Sequence, residues 1–452
     1  METAKQSSNG RVIAIIAMFF LFAMISFVTN LAAPLGTIWK NNYEWSGMLG
    51  NMMNFLAYLF MGIPAGNLLV KIGYKKTALY AMIVGLIGLA FQWFSGIVGT
   101  ETGVFTVSGQ VVTLNFIIYL LGAFICGFCV CMLNTVVNPM LNLLGGGGNT
   151  GNQLVQTGGS FNSLAATLTP LFVGMLIGQV TDTTSMGDVA PLLFIAMGVF
   201  VFALIVISAV KIPEPHLNKD VKNHKVKFTH SAWNFRHTLL GVIGIFLYVG
   251  IEIGIPGVLI FYLSDSAASG ITENATAVAG GVAAIYWLLM LCGRLISSVI
   301  SGKVSSRTQL IVVSTVAIIL ICIAIFLPSD IRVSMPAYSA ADGFSMAQVP
   351  AKALFLVLCG LCTSVMWGGI FNLAVEGLGK YTAQASGIFM MMVVGGGVMP
   401  LIQNAIATSA GYMASYWLVV AMLAYLLYYG IVGCKNVNPE IPVDEEEEQL
   451  YL

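Results

Sequence analysis

Two charged residues lie inside long apolar runs of the sequence, Glu252 and Arg294. A carboxylate in the middle of a membrane-spanning helix costs at least about 2.5 kcal/mol on insertion scales, so its presence indicates a functional site. Glu252 is the only acid near the centre of such a run, and we interpret it as an ion-coupling or substrate-contacting group. The alternative is a neutral glutamic acid that holds an adjacent helix by a hydrogen bond.

The residues that follow Glu252 predict the local structure of its helix, and Arg294 has several possible roles. Gly254, Pro256 and Gly257 follow Glu252, and they predict an interrupted helix with an exposed backbone. For Arg294 three interpretations stay open: it reaches the lipid headgroups, it lines a cavity as a gating or anion-binding group, or it pairs with Glu252 through water.

Side-chain amides are abundant in the apolar runs. An amide donates and accepts hydrogen bonds at once, which suits a ligand rich in hydroxyl groups, although some of these amides will instead join neighbouring helices. The flat rings of Tyr286, Trp287 and Trp367 could stack on a ligand ring, although aromatic residues in spans more often pack or face lipid. The amides are Asn30, Asn51, Asn54, Asn134, Asn138, Asn142, Asn162, Asn372, Gln403 and Asn404.

The cysteines and histidines do not form a recognisable metal or catalytic set. Cys126/Cys129 and Cys359/Cys362 have the CxxC spacing, but the runs around them contain no His, Asp or Glu, which favours a packing role. We therefore expect no cofactor and no metal, apart from a coupling proton or sodium ion. The four histidines, which would be needed by a membrane-embedded transferase, lie together without a matching acidic set: His216, His224, His230 and His237.

Composition identifies the class of protein in which these residues must be positioned. The chain has 452 residues, 58% of them hydrophobic and 8% charged, whereas soluble proteins carry about 25% charged residues. The mean hydropathy of +0.89 predicts a polytopic membrane protein. The net charge of zero excludes a basic surface for nucleic acid.

Twelve apolar runs are long enough to cross a bilayer, since about 20 residues are needed for one helix. Most Lys and Arg residues fall on one side of these runs, which predicts an inner-membrane protein with both termini in the cytosol. The runs are approximately Val12–Trp39, Trp45–Val70, Thr77–Val98, Leu114–Leu144, Gln153–Val180, Ala190–Val210, Thr238–Leu263, Thr276–Ile300, Leu310–Leu327, Ala351–Ala374, Gln384–Thr408 and Met413–Val432.

The longest charged segment on the cytosolic side divides the chain into two nearly equal parts. The fold class we predict is therefore an all-α membrane protein with twelve helices in two pseudo-symmetric six-helix bundles. The predicted units are a cytosolic tail (1–11), an N-terminal bundle (12–210), a cytosolic linker (211–237), a C-terminal bundle (238–434) and an acidic cytosolic tail (435–452).

Sequence motifs resemble those of the major facilitator superfamily. Residues 66–76 read Gly-Asn-Leu-Leu-Val-Lys-Ile-Gly-Tyr-Lys-Lys, which is similar to the family's G-x-L-x-D-R-x-G-R-K-K loop, with Val70 at the position of the Asp. The closer resemblance is to the fucose permease and glucose/galactose transporter branch. Its marks are Ile63-Pro64-Ala65-Gly66, Asn138-Pro139, Phe161-Asn162-Ser163, Tyr248-Val249-Gly250, Ile370-Phe371-Asn372-Leu373, Gly377-Leu378-Gly379 and Gly395-Gly396-Gly397 followed by Pro400.

The resemblance implies a secondary transporter that imports a neutral monosaccharide (a hexose, deoxyhexose or N-acetylhexosamine) by alternating access, as a monomer coupled to protons or sodium. Two acids of the fucose permease pattern are replaced here by Asn30 and Asn134, so coupling moves to Glu252. The implied sugar-binding residues are Asn30, Asn134, Asn138, Asn162, Tyr286, Trp287, Trp367 and Asn372. An alternative substrate is an acidic sugar such as a sialic acid, whose carboxylate would need Arg294, Lys40 or Lys352.

Overall fold

The computed structural model describes residues 8–145, 148–177, 184–212, 230–300, 304–339, 343–378, 381–438 and 440–443. Its helices are α1 (Ser8–Asn42), α2 (Leu49–Ile72), α3 (Tyr74–Phe94), α4 (Leu114–Leu144), α5 (Gly148–Ile177), α6 (Ala190–Ala209), α7 (Arg236–Ser264), α8 (Ser266–Ser269), α9 (Ala275–Ile300), α10 (Ser306–Phe326), α11 (Ala351–Thr363), α12 (Met366–Val375), α13 (Thr382–Met392), α14 (Gly395–Ala410) and α15 (Tyr412–Tyr428). We call α1–α6 the first half and α7–α15 the second half.

The apolar runs form helices because a backbone in lipid must satisfy its own hydrogen bonds. Eleven helical segments in the described chain are long and apolar enough to cross a membrane. The predicted fifth span falls on α5, and the end that the sequence predicts for it lies outside the described residues. The helical membrane fold is confirmed, whereas the count of twelve and the division into two bundles stay predictions. The two cytosolic tails and the linker also stay predictions. Most residues of each of these segments lie outside the described ranges.

The predicted interruption of the helix after Glu252 is wrong. α7 is continuous from Arg236 to Ser264 with Pro256 inside it. The glycines serve another purpose, because α14 packs directly on this face of α7. A Cβ atom on Gly250 would lie 2.5 Å from the Cβ atom of Met399, and one on Gly254 would collide with the side-chain oxygen of Gln403.

The real breaks lie in two other spans. The tenth predicted span is divided into α11 and α12 around Ser364 and Val365, and the eleventh into α13 and α14 around Val393 and Val394. Each break is short, and both residues at each break keep helix-like backbone angles. The two spans therefore bend without unwinding.

Two β-hairpins, which the sequence analysis did not predict, lie on one side of the helices. β1 (Gly103–Val107) pairs with β2 (Gln110–Thr113), and β3 (Arg332–Ser339) pairs with β4 (Gly343–Pro350), both antiparallel. The first hairpin is attached to the end of α1, since the Tyr43 hydroxyl accepts a hydrogen bond from the Thr113 amide at 3.1 Å. The second packs on α9 and also contacts α5 of the first half. We call this the hairpin side of the molecule.

The two halves meet along two pairs of spans. α5 packs on α9, and α2 packs on α13 and α14. At the second contact, a Cβ atom on Gly397 would lie 2.9 Å from the Met52 Cα atom. Asn51 donates a hydrogen bond across the same contact to the Gly396 carbonyl at 2.9 Å. Glycine therefore allows the backbones of the two halves to approach closely.

Candidate functional site at the junction of the two halves

An ion pair lies at the centre of the candidate site. The Arg294 guanidinium of α9 donates to the Glu252 carboxylate of α7 at 3.4 Å. The side chains are 12% and 15% exposed, respectively, so both charges are largely removed from solvent. Removing two charges from water is costly, and their attraction offsets this cost only when further hydrogen bonds satisfy the remaining donors and acceptors.

Arg294 obtains such a hydrogen bond from the other half of the protein. Its Nη1 atom donates to the backbone carbonyl of Gly159 in α5 at 2.7 Å. A Cβ atom at Gly159 would lie 3.4 Å from the guanidinium nitrogen, which is an ordinary van der Waals contact. The structure pairs Arg294 directly with Glu252, whereas a cavity-lining or gating role stays a prediction.

Tyr248 lies beside the ion pair and contacts a second aromatic residue of the second half. Tyr248 lies one helical turn before Glu252 on α7, and its ring is 6.2 Å from that of Trp367 on α12. The Tyr248 side chain is completely buried, and its hydroxyl lies beside the Glu252 carboxylate and the Arg294 guanidinium. Sequence analysis singled out Tyr248 only as part of a motif. Its spacing of four residues from Glu252 could have indicated that both side chains share a helix face.

The predicted amides of the first half lie on α1, α4 and α5. The Asn162 side chain, one turn after Gly159 on α5, donates to the Phe22 carbonyl of α1 at 3.2 Å. The Asn30 amide donates to the Ser26 carbonyl at 2.8 Å. Both amides are partly exposed, so they remain accessible to a ligand. Asn162 therefore lies one helical turn from Gly159, whose carbonyl accepts the hydrogen bond from Arg294.

On α4 the two amides follow one another by a helical turn. Asn134 donates to the Tyr58 hydroxyl of α2 at 2.7 Å, and Asn138 donates to the Asn134 carbonyl at 3.0 Å. The Tyr58 side chain is only 3% exposed. This buried hydroxyl fixes the orientation of Asn134.

The remaining predicted binding residues have different surroundings. Asn372 on α12 is exposed. Tyr286 is completely buried, with its hydroxyl 2.9 Å from that of Thr363, and Trp287 is 8% exposed. In this arrangement the rings of Tyr286 and Trp287 pack among second-half helices and present little surface to a ligand, so their role in binding stays a prediction.

No group of three or more His, Cys, Asp or Glu residues within the described ranges could hold a metal ion. The CxxC cysteines are free and buried, as expected of packing residues. The His237 Nε2 atom is 2.9 Å from the Glu376 carbonyl, so this histidine joins the ends of α7 and α12.

Known proteins resemble this chain over almost its whole length. A model of the Major Facilitator Superfamily matches residues 13–399. A glucose/galactose transporter of Brucella abortus biovar 1 is 31% identical over 96% of this chain and 97% of its own. The L-fucose-proton symporter of Escherichia coli K12 is 22% identical, covering 91% and 90% of the two chains. These matches confirm the family that the motifs indicated.

The fold has a counterpart among solved structures. A crystal structure of the fucose:proton symporter of E. coli superposes with a TM-score of 0.66 at 18% sequence identity. The match covers 93% of this chain and 98% of the other. At this identity the likeness establishes the fold alone.

The site makes a prediction about energetic coupling within the ion pair. Arg294→Gln and Glu252→Gln should each lower the thermal unfolding temperature in detergent, because each leaves a poorly solvated charge without its partner. The double variant should lose less stability than the sum of the two, by about 1–2 kcal/mol. Arg307→Gln is the matched control, since Arg307 donates to the Gly430 carbonyl at 2.9 Å and should combine additively with Glu252→Gln. Additive losses for Arg294 and Glu252 would show that the pair contributes no coupling.

Proposed function

Because the chain belongs to the major facilitator superfamily, we propose that it imports a neutral monosaccharide by alternating access through a cavity between its two halves. It is a membrane transporter and not an enzyme. The substrates we propose are a hexose, a deoxyhexose or an N-acetylhexosamine. The relative named as a glucose/galactose transporter supports a sugar, since the similarity extends over 96% of this chain.

The preference for a neutral sugar rests on one observation, the neutralisation of Arg294. Its guanidinium is already occupied by the Glu252 carboxylate and the Gly159 carbonyl. A carboxylate on the substrate would have to displace Glu252, or enter the cavity without a compensating charge. Lys40, a second candidate partner for an acidic sugar, lies over two aromatic rings. The surrounding amides suit hydroxyl groups instead.

The architecture that we propose is two six-helix bundles of a monomer in the inner membrane, with both termini in the cytosol. The positive-inside distribution of Lys and Arg supports this orientation, in which the hairpin side would face outward. The two bundles would move relative to each other about the contacts of α5 with α9 and of α2 with α13 and α14. The two described histidines do not support membrane-embedded transferase activity, because His237 joins two helix ends and His230 is exposed.

For coupling we propose that a proton binds Glu252. Burial disfavours the charged carboxylate, so a proton can compete with Arg294 for it. Because Arg294 also holds Gly159 of the other half, protonation would change a contact between the halves. The alternative, sodium held by Glu252 and free carbonyls near Gly254, is less well supported, since α7 is continuous there and Gln403 covers Gly254.

The first experiment tests the substrate and the ion together. Proteoliposomes are offered radiolabelled neutral, N-acetylated and acidic sugars under imposed proton or sodium gradients. We expect a neutral sugar to accumulate when the proton gradient is directed inward, and accumulation to collapse with a protonophore. Accumulation driven by sodium alone would overturn the proton assignment. Saturable sialic acid uptake that resists excess neutral hexose and is abolished by Arg294→Ala would establish the acidic-sugar alternative.

A second prediction concerns direct contacts with the sugar. Asn30→Ala, Asn134→Ala and Asn162→Ala should each raise the dissociation constant of the transported sugar about tenfold, the effect of one or two lost hydrogen bonds. Equilibrium binding to the purified variants measures this change. Asn42→Ala is the control, because Asn42 is an exposed amide at the end of α1. Unchanged affinity in all three variants would remove these residues from the binding site.

A third prediction isolates the coupling step. Glu252→Gln should abolish accumulation of sugar against its gradient but retain exchange of sugar between the two sides, since exchange does not require release of the ion. The measurements are gradient-driven uptake and counterflow in the same vesicles. Glu376→Gln is the control, since the Glu376 side chain is exposed at the end of α12. If Glu252→Gln accumulates sugar as well as the parent protein does, Glu252 is a structural hydrogen-bonding residue.

A further inference from the structure

A partly buried lysine of α1, Lys40, contacts the second half on the hairpin side. The Lys40 ammonium lies 4.1 Å from the centre of the Phe261 ring and 5.6 Å from that of Tyr412. Lys40 belongs to the first half, whereas Phe261 on α7 and Tyr412 on α15 belong to the second. A cation over aromatic faces is attracted more strongly as water is excluded.

The surrounding charges hold this arrangement in place. The Tyr412 hydroxyl donates to the Asp265 carboxylate at 3.2 Å, and the other carboxylate oxygen of Asp265 accepts from the backbone of α8. Burial lowers the pKa of the Lys40 ammonium, whereas the charges of Asp265 and Glu44 act to raise it. The two rings and the fixed carboxylate together replace the solvent that Lys40 has lost.

Other close contacts between the two halves lie beside Lys40. A Cβ atom on Gly47 would lie 3.0 Å from Phe261 and 3.2 Å from the Cβ atom of Lys40. One turn earlier on α7, a Cβ atom on Gly257 would lie 2.5 Å from the Met48 side chain. The face of α7 that carries Gly257 and Phe261 is therefore in contact with the first half.

The opposite ends of two central helices carry exposed residues. Pro139 on α4 and Asn372 on α12 are both exposed, and both lie toward the side away from the hairpins. The structure thus combines contact between the halves around Lys40 with accessible residues on the far side. In a protein that works by alternating access, these are the features of a state closed on the hairpin side.

We propose that Lys40, Phe261 and Tyr412 form a cation–aromatic lock that holds the hairpin side of the transport pathway closed. Opening to that side requires the Lys40 ammonium to leave the two rings. Removing the positive charge therefore shifts the population toward the state that is open on the hairpin side. The lock requires only that the two halves move. It does not depend on which sugar is bound or on which ion is coupled, so it can fail or succeed independently of the proposed substrate.

Accessibility of a cysteine placed at Ser264 tests the lock. Ser264 follows Phe261 by one turn on α7, and its hydroxyl is buried without a hydrogen-bond partner. Ser264→Cys is combined with Lys40→Gln in the full-length protein, and a membrane-impermeant maleimide is added from the hairpin side. Protein with Ser264 intact gives the background from the native cysteines. We expect labelling about tenfold faster than with Lys40 present, the effect of losing one desolvated cation–aromatic contact.

Three further variants distinguish the lock from local damage. Lys40→Arg keeps a cation over the rings and should restore slow labelling, whereas Phe261→Leu removes the nearer ring and should reproduce the fast labelling of Lys40→Gln. Arg332→Gln removes another cation from the hairpin side and should leave the rate unchanged. The proposal is overturned if Lys40→Gln labels at the parent rate. It is equally overturned if Lys40→Arg labels as fast as Lys40→Gln, since the cation itself would then be irrelevant.

Discussion

The guanidinium of Arg294 needs partners from both halves of the protein, and this requirement organises the centre of the molecule. A guanidinium has five N–H donors and stays charged, so it is costly to bury unless its donors are paired. Glu252 supplies the opposite charge from the second half, and the Gly159 carbonyl supplies an acceptor from the first. Neither half provides both groups, so the charge is satisfied only where α5, α7 and α9 meet.

Close approach of backbones makes this junction possible in a protein with few charges. At α14 the glycines at 395–397 allow contact with α7 on one side and with α2 on the other. The hydrogen bond from Asn51 to the Gly396 carbonyl then crosses between the halves without using a charged group. Contacts of this kind are weak individually and are made to the backbone, which suits surfaces that must separate and rejoin.

Two of the connections between the halves, at Arg294 and at Lys40, differ in chemistry. Arg294 is held by a carboxylate and a carbonyl, so a change of charge on Glu252 acts on it directly. Lys40 is held by the faces of two rings and lies near a fixed carboxylate, so its contact responds to separation of the rings. A transporter with one connection sensitive to charge and another sensitive to distance can link ion binding to the opening of one side.

The sequence by itself determined the membrane class and the family, and it identified Glu252 and Arg294 as isolated charges in apolar runs. These are local properties that can be read along the chain. It also indicated the amides at Asn30, Asn134 and Asn162. It gave no hint that Lys40 would lie under rings from α7 and α15, because residues so distant in the chain meet only through helix packing. Packing also decided that α7 stays continuous past Pro256, since the covering helix α14 uses the glycines that suggested a break. The contact of Arg294 with Gly159 could not be predicted from the sequence, because every residue has a backbone carbonyl. Only the tertiary structure brings this carbonyl to the guanidinium.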